Sequence, residues 1–192
     1  MELKVNHLSK SFGTLNVFTQ VNLSLHSGPI YCLMGSSGSG KTTFFRILLG
    51  LEQADSGSMA GMEGIRASAV FQENRLCESF TPVDNIVMVI PGRSSRSRKQ
   101  ARDELLRLLP EEALSRPVST LSGGMKRRVA IVRALSVPCD MILMDEPFTG
   151  LDENTKLTVI RYIKEKTRNK LVIISTHQEE DVSLLNGTLI NL

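Results

Sequence analysis

The octapeptide Gly35-Ser36-Ser37-Gly38-Ser39-Gly40-Lys41-Thr42 constrains this chain more than any other feature. It fits the spacing G-x-x-x-x-G-K-S/T, follows a strand expected over Pro29–Met34, and opens a stretch, Lys41–Leu49, with apolar residues at helical spacing. Glycines let a backbone close around phosphate with its N–H groups turned inward, and a helix N-terminus adds positive potential. In that setting Lys41 would reach the β- and γ-phosphates of a nucleotide, and the Thr42 hydroxyl would bind Mg²⁺. Thr43 is counted with the loop as nucleotide-binding. A flexible Gly-Ser linker is the competing reading, and the strand before the loop and the helix after it decide against that. Gly50 is placed to end the helix.

The rest of the chain supplies a sheet for such a loop. Leu3–Leu8 and Val17–Leu25 read as strands set apart by Ser-Phe-Gly and Ser-Gly-Pro turn signals. Ala69–Phe71 is a short apolar strand leading to Gln72, within Gly- and Ser-rich surroundings. Met141–Met144 and Leu171–Ile174 are continuous apolar runs, as expected of strands buried on both faces of a parallel sheet. A helix over Glu153–Arg168 supplies the crossover between them. Ser122–Ser136 reads as a helix with Met125, Val129, Val132 and Leu135 along one stripe, stopped by Pro138. Arg93, Arg96, Arg98, Lys99 and Arg102 run into a helix with Ala101, Leu105, Leu106 and Leu109 on one face, a pattern that reads as a solvated helix rather than a binding patch. Pro110 and Pro117 bracket a further short helical piece. The class is therefore α/β, with a helical insertion near residues 75–125.

Composition narrows the function. The 192 residues suit one domain, and a hydrophobic share of 41% with 22% charged residues is ordinary for a soluble globular protein. A net charge of +3, no Trp and 5% aromatic residues argue against nucleic acid as a partner. Cys32, Cys77 and Cys139 lie far apart, which suggests a reducing compartment. Residues Met1–Lys10 lack the apolar core of a signal peptide, and no apolar run nears the roughly 18 residues that span a bilayer. Direct membrane insertion is not expected, so any membrane link would run through a partner.

The Met141–Met144 strand ends in Asp145-Glu146, and ligands of open α/β sheets sit at the carboxyl ends of strands. Asp145 is placed to hold Mg²⁺ and Glu146 to orient or deprotonate an attacking water. His177 follows the Leu171–Ile174 strand and would face the same crevice, within reach of a γ-phosphate oxygen. On spacing alone a lone histidine is more often a surface residue, and His7 and His26 stay in that class. Gln72 also follows a strand; its amide could bind Mg²⁺ or a metal-bound water, although spacing alone favours a surface role.

Leu121-Ser122-Gly123-Gly124-Met125 resembles the signature sequence of ATP-binding cassette (ABC) proteins. With it, Phe12-Gly13, the phosphate loop, Val-Phe-Gln72, Asp145-Glu146, Thr-Gly-Leu151-Asp152 and Ser-Thr-His177 fall into the order of that family, over essentially the whole chain. The resemblance implies a P-loop NTPase of ABC type: one domain over residues 1–192, with a mostly parallel core sheet, an antiparallel N-terminal β subdomain and a helical subdomain. It implies that ATP and Mg²⁺ are bound, with Gln72 sensing the metal and the γ-phosphate. Phe12 would stack on adenine in a place more often held by Tyr. Ser122, Gly123 and Gly124 would bind the γ-phosphate of the nucleotide held by a second ABC subunit, identical or related, in a head-to-tail pair, and Asp152 would lie at that contact. The implied activity is ATP hydrolysis driving a transmembrane permease from the inner face of the cell membrane, with the chain itself cytoplasmic.

Two departures from the family pattern stand out. Met125 replaces the usual Gln, which should weaken function rather than abolish it, and no appended regulatory domain is expected. The Phe-Gln72-Glu73-Asn-Arg-Leu stretch looks somewhat like importers of nitrate, sulfonate or taurine type. The alternatives are a soluble cassette acting on ribosomes or DNA, and an ATP-gated clamp that does not turn over. Glu146 argues against the clamp.

Overall fold

β1 (Glu2–Phe12) alternates Leu3 and Val5, both buried, with exposed residues, and then breaks step at Asn6-His7. The register against β2 (Leu15–His26) shifts between Val5 and Leu8, and His7 has φ +47°. This bulge returns Leu8 to the inward face, which strict alternation would have denied it. β4 (Ser56–Ala60) pairs antiparallel with the other edge of β1, giving the order β2-β1-β4. The computed structural model describes residues 1–36, 38–92 and 94–192; Ser37 of the phosphate loop and Arg93 of the basic run lie outside the described residues.

A second sheet has the order β5-β6-β7-β3-β8, made by Ala67–Val70, Met141–Asp145, Leu171–Ser175, Ile30–Met34 and Thr188–Asn191 respectively. The β6–β7, β7–β3 and β3–β8 pairs are parallel. Every residue of β6 and β7 is buried, which accounts for their apolar runs Met141–Met144 and Leu171–Ile174 ahead of the final Asp145 and Ser175. α1 (Lys41–Leu48) inserts Phe44, Phe45, Ile47 and Leu48 into a core shared with Leu3, Leu8 and Phe18 of the first sheet and Met141, Leu143, Leu171 and Ile173 of the second. Phe44 is fully buried, and truncation of such a side chain costs about 3–5 kcal/mol.

By its internal contacts the chain forms two compact units. The first comprises Met1–Ala69, Cys139–Glu146 and Thr167–Leu192, and so contains the features just described except Val70, the last residue of β5. It also contains α6 (Glu179–Leu185), whose first turn carries Glu179, Glu180 and Asp181, favourable at the positive end of a helix dipole.

The second unit comprises Val70–Pro138 and Pro147–Lys166. It holds α2 (Pro82–Val87), α3 (Ser95–Leu106), α4 (Gly123–Leu135) and α5 (Glu153–Lys166). Thr81 caps α2 by accepting the Asp84 N–H at 3.2 Å, and Ser122 caps α4. Three details differ from the expectations. Leu106 is 41% exposed, whereas the other residues expected on that face, Ala101, Leu105 and Leu109, are buried. The segment between Pro110 and Pro117 makes only a single 3₁₀ turn, Glu111–Ala113. The strand expected at Ala69–Phe71 starts two residues earlier and ends one residue earlier. Along α3, Arg98 donates to Asp84 at 2.5 Å and Arg102 pairs with Glu111, so two of the cations have partners on the protein. No helix among the described residues is long and apolar enough to cross a membrane.

Candidate functional site

β3 delivers the chain into the phosphate loop and α1 leads out of it. Gly40 stands at the helix N-cap with φ +92°, and a Cβ there would sit 2.5 Å from Val17 Cγ1. A side chain is therefore excluded on both conformational and steric grounds. With no side-chain cap on α1, its first-turn N–H groups are left to an incoming acceptor. The Lys41 Nζ is buried inside the loop, donating to the carbonyls of Gly35 at 2.7 Å and Ser36 at 2.9 Å, with Ser39 Oγ at 3.5 Å. A phosphate entering the loop could exchange for these carbonyls.

The Thr42 Oγ1 donates to Asp145 Oδ2 at 2.6 Å, and the Ser175 Oγ donates to Asp145 Oδ1 at 2.5 Å. Asp145 is only 5% exposed, and both its oxygens are held by hydroxyls. Ser175 in turn accepts the Glu146 N–H on its hydroxyl at 2.9 Å and on its carbonyl at 3.2 Å. Glu146 has φ +46°, turning the chain out of β6 as soon as the strand ends. His177 Nδ1 lies 3.7 Å from Glu146 Oε1, an ion-pair distance when the ring is protonated. Thr42, Asp145, Glu146 and His177 are thus brought together at the carboxyl ends of parallel strands. Phe12, half-exposed at the end of β1, has the Lys10 Nζ 4.9 Å from its ring centroid.

Three residues of this cluster were not singled out from the sequence. Ser175 joins Asp145 to the Glu146 backbone. Thr176 donates to Asp181 Oδ2 at 2.6 Å and accepts the Gln178 N–H at 3.1 Å, fixing the backbone on both sides of His177. Hydroxyls at the end of a buried strand were a signal for the first two, whereas nothing in the sequence marks Asp181.

The remaining candidates lie in the second unit. Ser122 Oγ accepts the Met125 N–H at 3.3 Å, and Gly124 packs so closely that a Cβ would be 3.0 Å from the Gly150 carbonyl. The Gly124 carbonyl accepts Arg128 Nε at 3.2 Å, and Arg128 Nη1 donates to Leu108 O at 2.5 Å. Burial lowers the Arg128 pKa, and the charge of Asp152 opposes that shift. Asp152 accepts the Thr155 hydroxyl at 2.7 Å and the Thr155 N–H at 3.0 Å, which together hold its carboxyl below the usual range. Ser122–Gly124, Thr149–Asp152 and Arg127 help to line an open cavity of about 500 Å³. Gln72 has an exposed side chain, while its carbonyl and that of Phe71 accept the Arg127 guanidinium at 2.5 and 2.6 Å.

The donors available to a metal are hard oxygens, those of Thr42 and Asp145, which suit Mg²⁺ completed by phosphate oxygens and water. Among the described residues, no group of three or more His, Cys, Asp or Glu could hold a metal by itself.

A phosphate loop feeding a parallel sheet with carboxylates at its strand ends defines an α/β P-loop fold. Residues 18–149 match the ABC transporter family model, and the chain belongs to the ABC transporter family. It is 34% identical over 209 aligned residues to the sulfate/thiosulfate import ATP-binding protein CysA of Photorhabdus laumondii, covering 99% of this chain and 58% of that protein. It is also 34% identical to the CysA of Halalkalibacterium halodurans, over 94% of this chain and 56% of that protein. The chain thus spans less than two thirds of the length of these relatives. Among solved structures, a dimeric ATP-binding cassette in a post-hydrolysis state bound to ADP and Pi superposes with a TM-score of 0.83 at 25% identity, covering 99% of this chain and 94% of that one.

Proposed function

We propose that this chain is the ATP-binding and ATP-hydrolysing subunit of a membrane transporter, a single ABC domain with a helical subdomain inserted. The observation that carries the reading is the hydrogen-bonded series Thr42–Asp145–Ser175–Glu146 beside the phosphate loop. Lys41 and the loop N–H groups bind the phosphates, and Phe12 stacks on adenine. Thr42 and Asp145 would hold Mg²⁺, with Gln72 as a further ligand. When bound, the metal neutralises charge on the β- and γ-phosphates. Glu146 orients the attacking water and accepts its proton, and His177 hydrogen-bonds the γ-phosphate. Ser122, Gly123, Gly124 and Asp152 serve the nucleotide of a second ABC subunit in a head-to-tail pair. The partner that the pair drives is a transmembrane permease, with the subunit peripheral on the inner membrane face. The names of the CysA relatives favour import.

The test combines phosphate release with partner capture. Purified protein with ATP and Mg²⁺ should release phosphate, and Glu146→Gln should lower the rate by about 10²–10⁴-fold while nucleotide binding persists. Tagged Glu146→Gln protein with Mg-ATP should retain a multi-span membrane protein from detergent extracts. Hydrolysis unaffected by Glu146→Gln would refute the chemistry. Capture of ribosomal or DNA-associated proteins instead would refute the transporter role.

A further inference from the structure

β1 loses one of its neighbours before it ends. Its last pair with β4 is Ser9↔Ser56, whereas its ladder with β2 continues through Ser11↔Asn16 to Phe12↔Leu15. The register slips between Leu8 and Lys10 and again between Lys10 and Ser11. The segment carrying Phe12 is therefore an irregular edge with pairing on one side only, a poor base for an aromatic ring that must hold one orientation.

One residue makes good the missing side. The Asp55 N–H donates to the Ser9 carbonyl at 2.9 Å. Asp55 Oδ2 accepts the Ser11 N–H at 2.7 Å and the Ser11 hydroxyl at 2.6 Å. Asp55 Oδ1 accepts Lys10 Nζ at 3.2 Å. Three consecutive residues of β1, at positions 9, 10 and 11, are thus tied to this one residue. Lys10 is clamped from a second direction by Glu52 Oε1 at 3.1 Å and is only 8% exposed, and from that clamp its ammonium lies over the Phe12 ring. The Ser11 hydroxyl, the Ser11 N–H and then Lys10 hold the Asp55 carboxyl below its usual range, so it accepts all three bonds as an anion at neutral pH. Burial works against the Lys10 charge, but hydrogen bonds and charge from Glu52 and Asp55 outweigh it and raise its pKa. Exposed ion pairs add little stability. Charge-assisted bonds from backbone and hydroxyl donors converging on one carboxylate set geometry instead.

We propose that Asp55 is a positioning residue for the nucleotide base: it fixes the end of β1 so that Phe12 presents one ring face to adenine while clamped Lys10 covers the other. This rests on the reading of Phe12 as the adenine platform. Glu52 and Asp55 thereby act on base affinity without touching the nucleotide, through the strand that bears the ring.

The experiment compares ATP with inorganic tripolyphosphate, both with Mg²⁺, by isothermal titration calorimetry on the wild-type chain, Phe12→Ala, Asp55→Ala and the double variant. Loss of a stacked base costs about tenfold to a hundredfold in affinity. Phe12→Ala should lower ATP affinity by that order and leave tripolyphosphate affinity within about twofold. Asp55→Ala should lower ATP affinity about five- to tenfold, also sparing tripolyphosphate, and should add nothing once Phe12 is absent. Should Asp55→Ala not fold, the isosteric Asp55→Asn makes the same comparison. An Asp55 effect that falls equally on both ligands, or that persists undiminished without Phe12, overturns the proposal. So does an unchanged ratio of the two affinities in the Asp55 variant when Phe12→Ala lowers it. If Phe12→Ala leaves that ratio unchanged, the platform reading itself has failed, and this inference with it.

Discussion

Replacing Ser175 by alanine isolates the bond that ties the Asp145 carboxylate to the Glu146 backbone. Ser175 is fully buried, and its hydroxyl both donates to Asp145 Oδ1 at 2.5 Å and accepts the Glu146 N–H at 2.9 Å. Alanine leaves one oxygen of a nearly buried carboxylate without a donor, and a hydrogen bond to a charged group is worth about 1.5–3 kcal/mol. The Glu146 N–H keeps its bond to the Ser175 carbonyl at 3.2 Å, so its loss is partial and adds little. The hydroxyl is too small for its removal to open a cavity of consequence. The expected cost is therefore about 2 kcal/mol, which for a chain of this length lowers Tm by about 4–8 °C. Thermal unfolding without nucleotide, followed by far-UV circular dichroism, measures the first quantity. Phosphate release measures the second: with Glu146 less firmly held, turnover should fall about tenfold, on the principle that small misplacements of a catalytic group are costly. A Tm within about 1 °C of wild type together with unchanged turnover would show that this series of hydrogen bonds neither stabilises the strand ends nor positions Glu146.

Two other outcomes follow from buried groups. Cys77 is exposed while Cys32 and Cys139 are buried, and burial, helped by the charge of Asp181, pushes the Cys32 thiol up to about 11. Because the Cys32 thiolate forms only as pH rises through that value, and Cys139 is shielded by burial, native protein at about pH 8 should take up one alkylating group rapidly and three in denaturant, counted by mass spectrometry; two rapid additions would contradict the burial. In the second unit, Glu104 accepts the Tyr162 hydroxyl at 3.0 Å and pairs with Lys166, linking α3 to α5. Burial first, and then the charge of Glu104, push the phenol far above its usual range, so Tyr162 remains a neutral donor. Glu104→Ala should cost about 2 kcal/mol and Tyr162→Phe about 1 kcal/mol in urea unfolding, and equal costs would remove Lys166 from the account.

Much of this architecture was legible wherever structure is dictated over a few residues. The strand, phosphate loop and helix from Ile30 to Leu48 were expected because a continuous apolar run, glycines at a tight turn and helical spacing are local signals. The α4 boundaries follow from Ser122 as a cap and Pro138 as a stop. By contrast α2, α6 and β8 are at most seven residues long, too short for periodicity to mark them, and they owe their structure to what they pack against. Leu106 shows the same dependence: it was expected on one face with Leu105 and Leu109, which are buried, yet its own side chain is exposed.

The site divides in the same way. Lys41, Thr42, Asp145, Glu146 and His177 could be named because their residue types follow strands in a recognisable order. That Ser175 is the group joining two of them was decided by the parallel register of β6 and β7, which sets Asp145 directly beside Ser175 across 30 residues of sequence. The link from Asp55 to Ser11 likewise spans 44 residues and exists only because β4 leaves β1 where it does. Residue type and local spacing, which the sequence alone determines, specify the chemistry the chain can carry. Which hydroxyl meets which carboxylate depends on strand register and on the residue at which each strand ends, and those are set by packing between segments far apart in the chain.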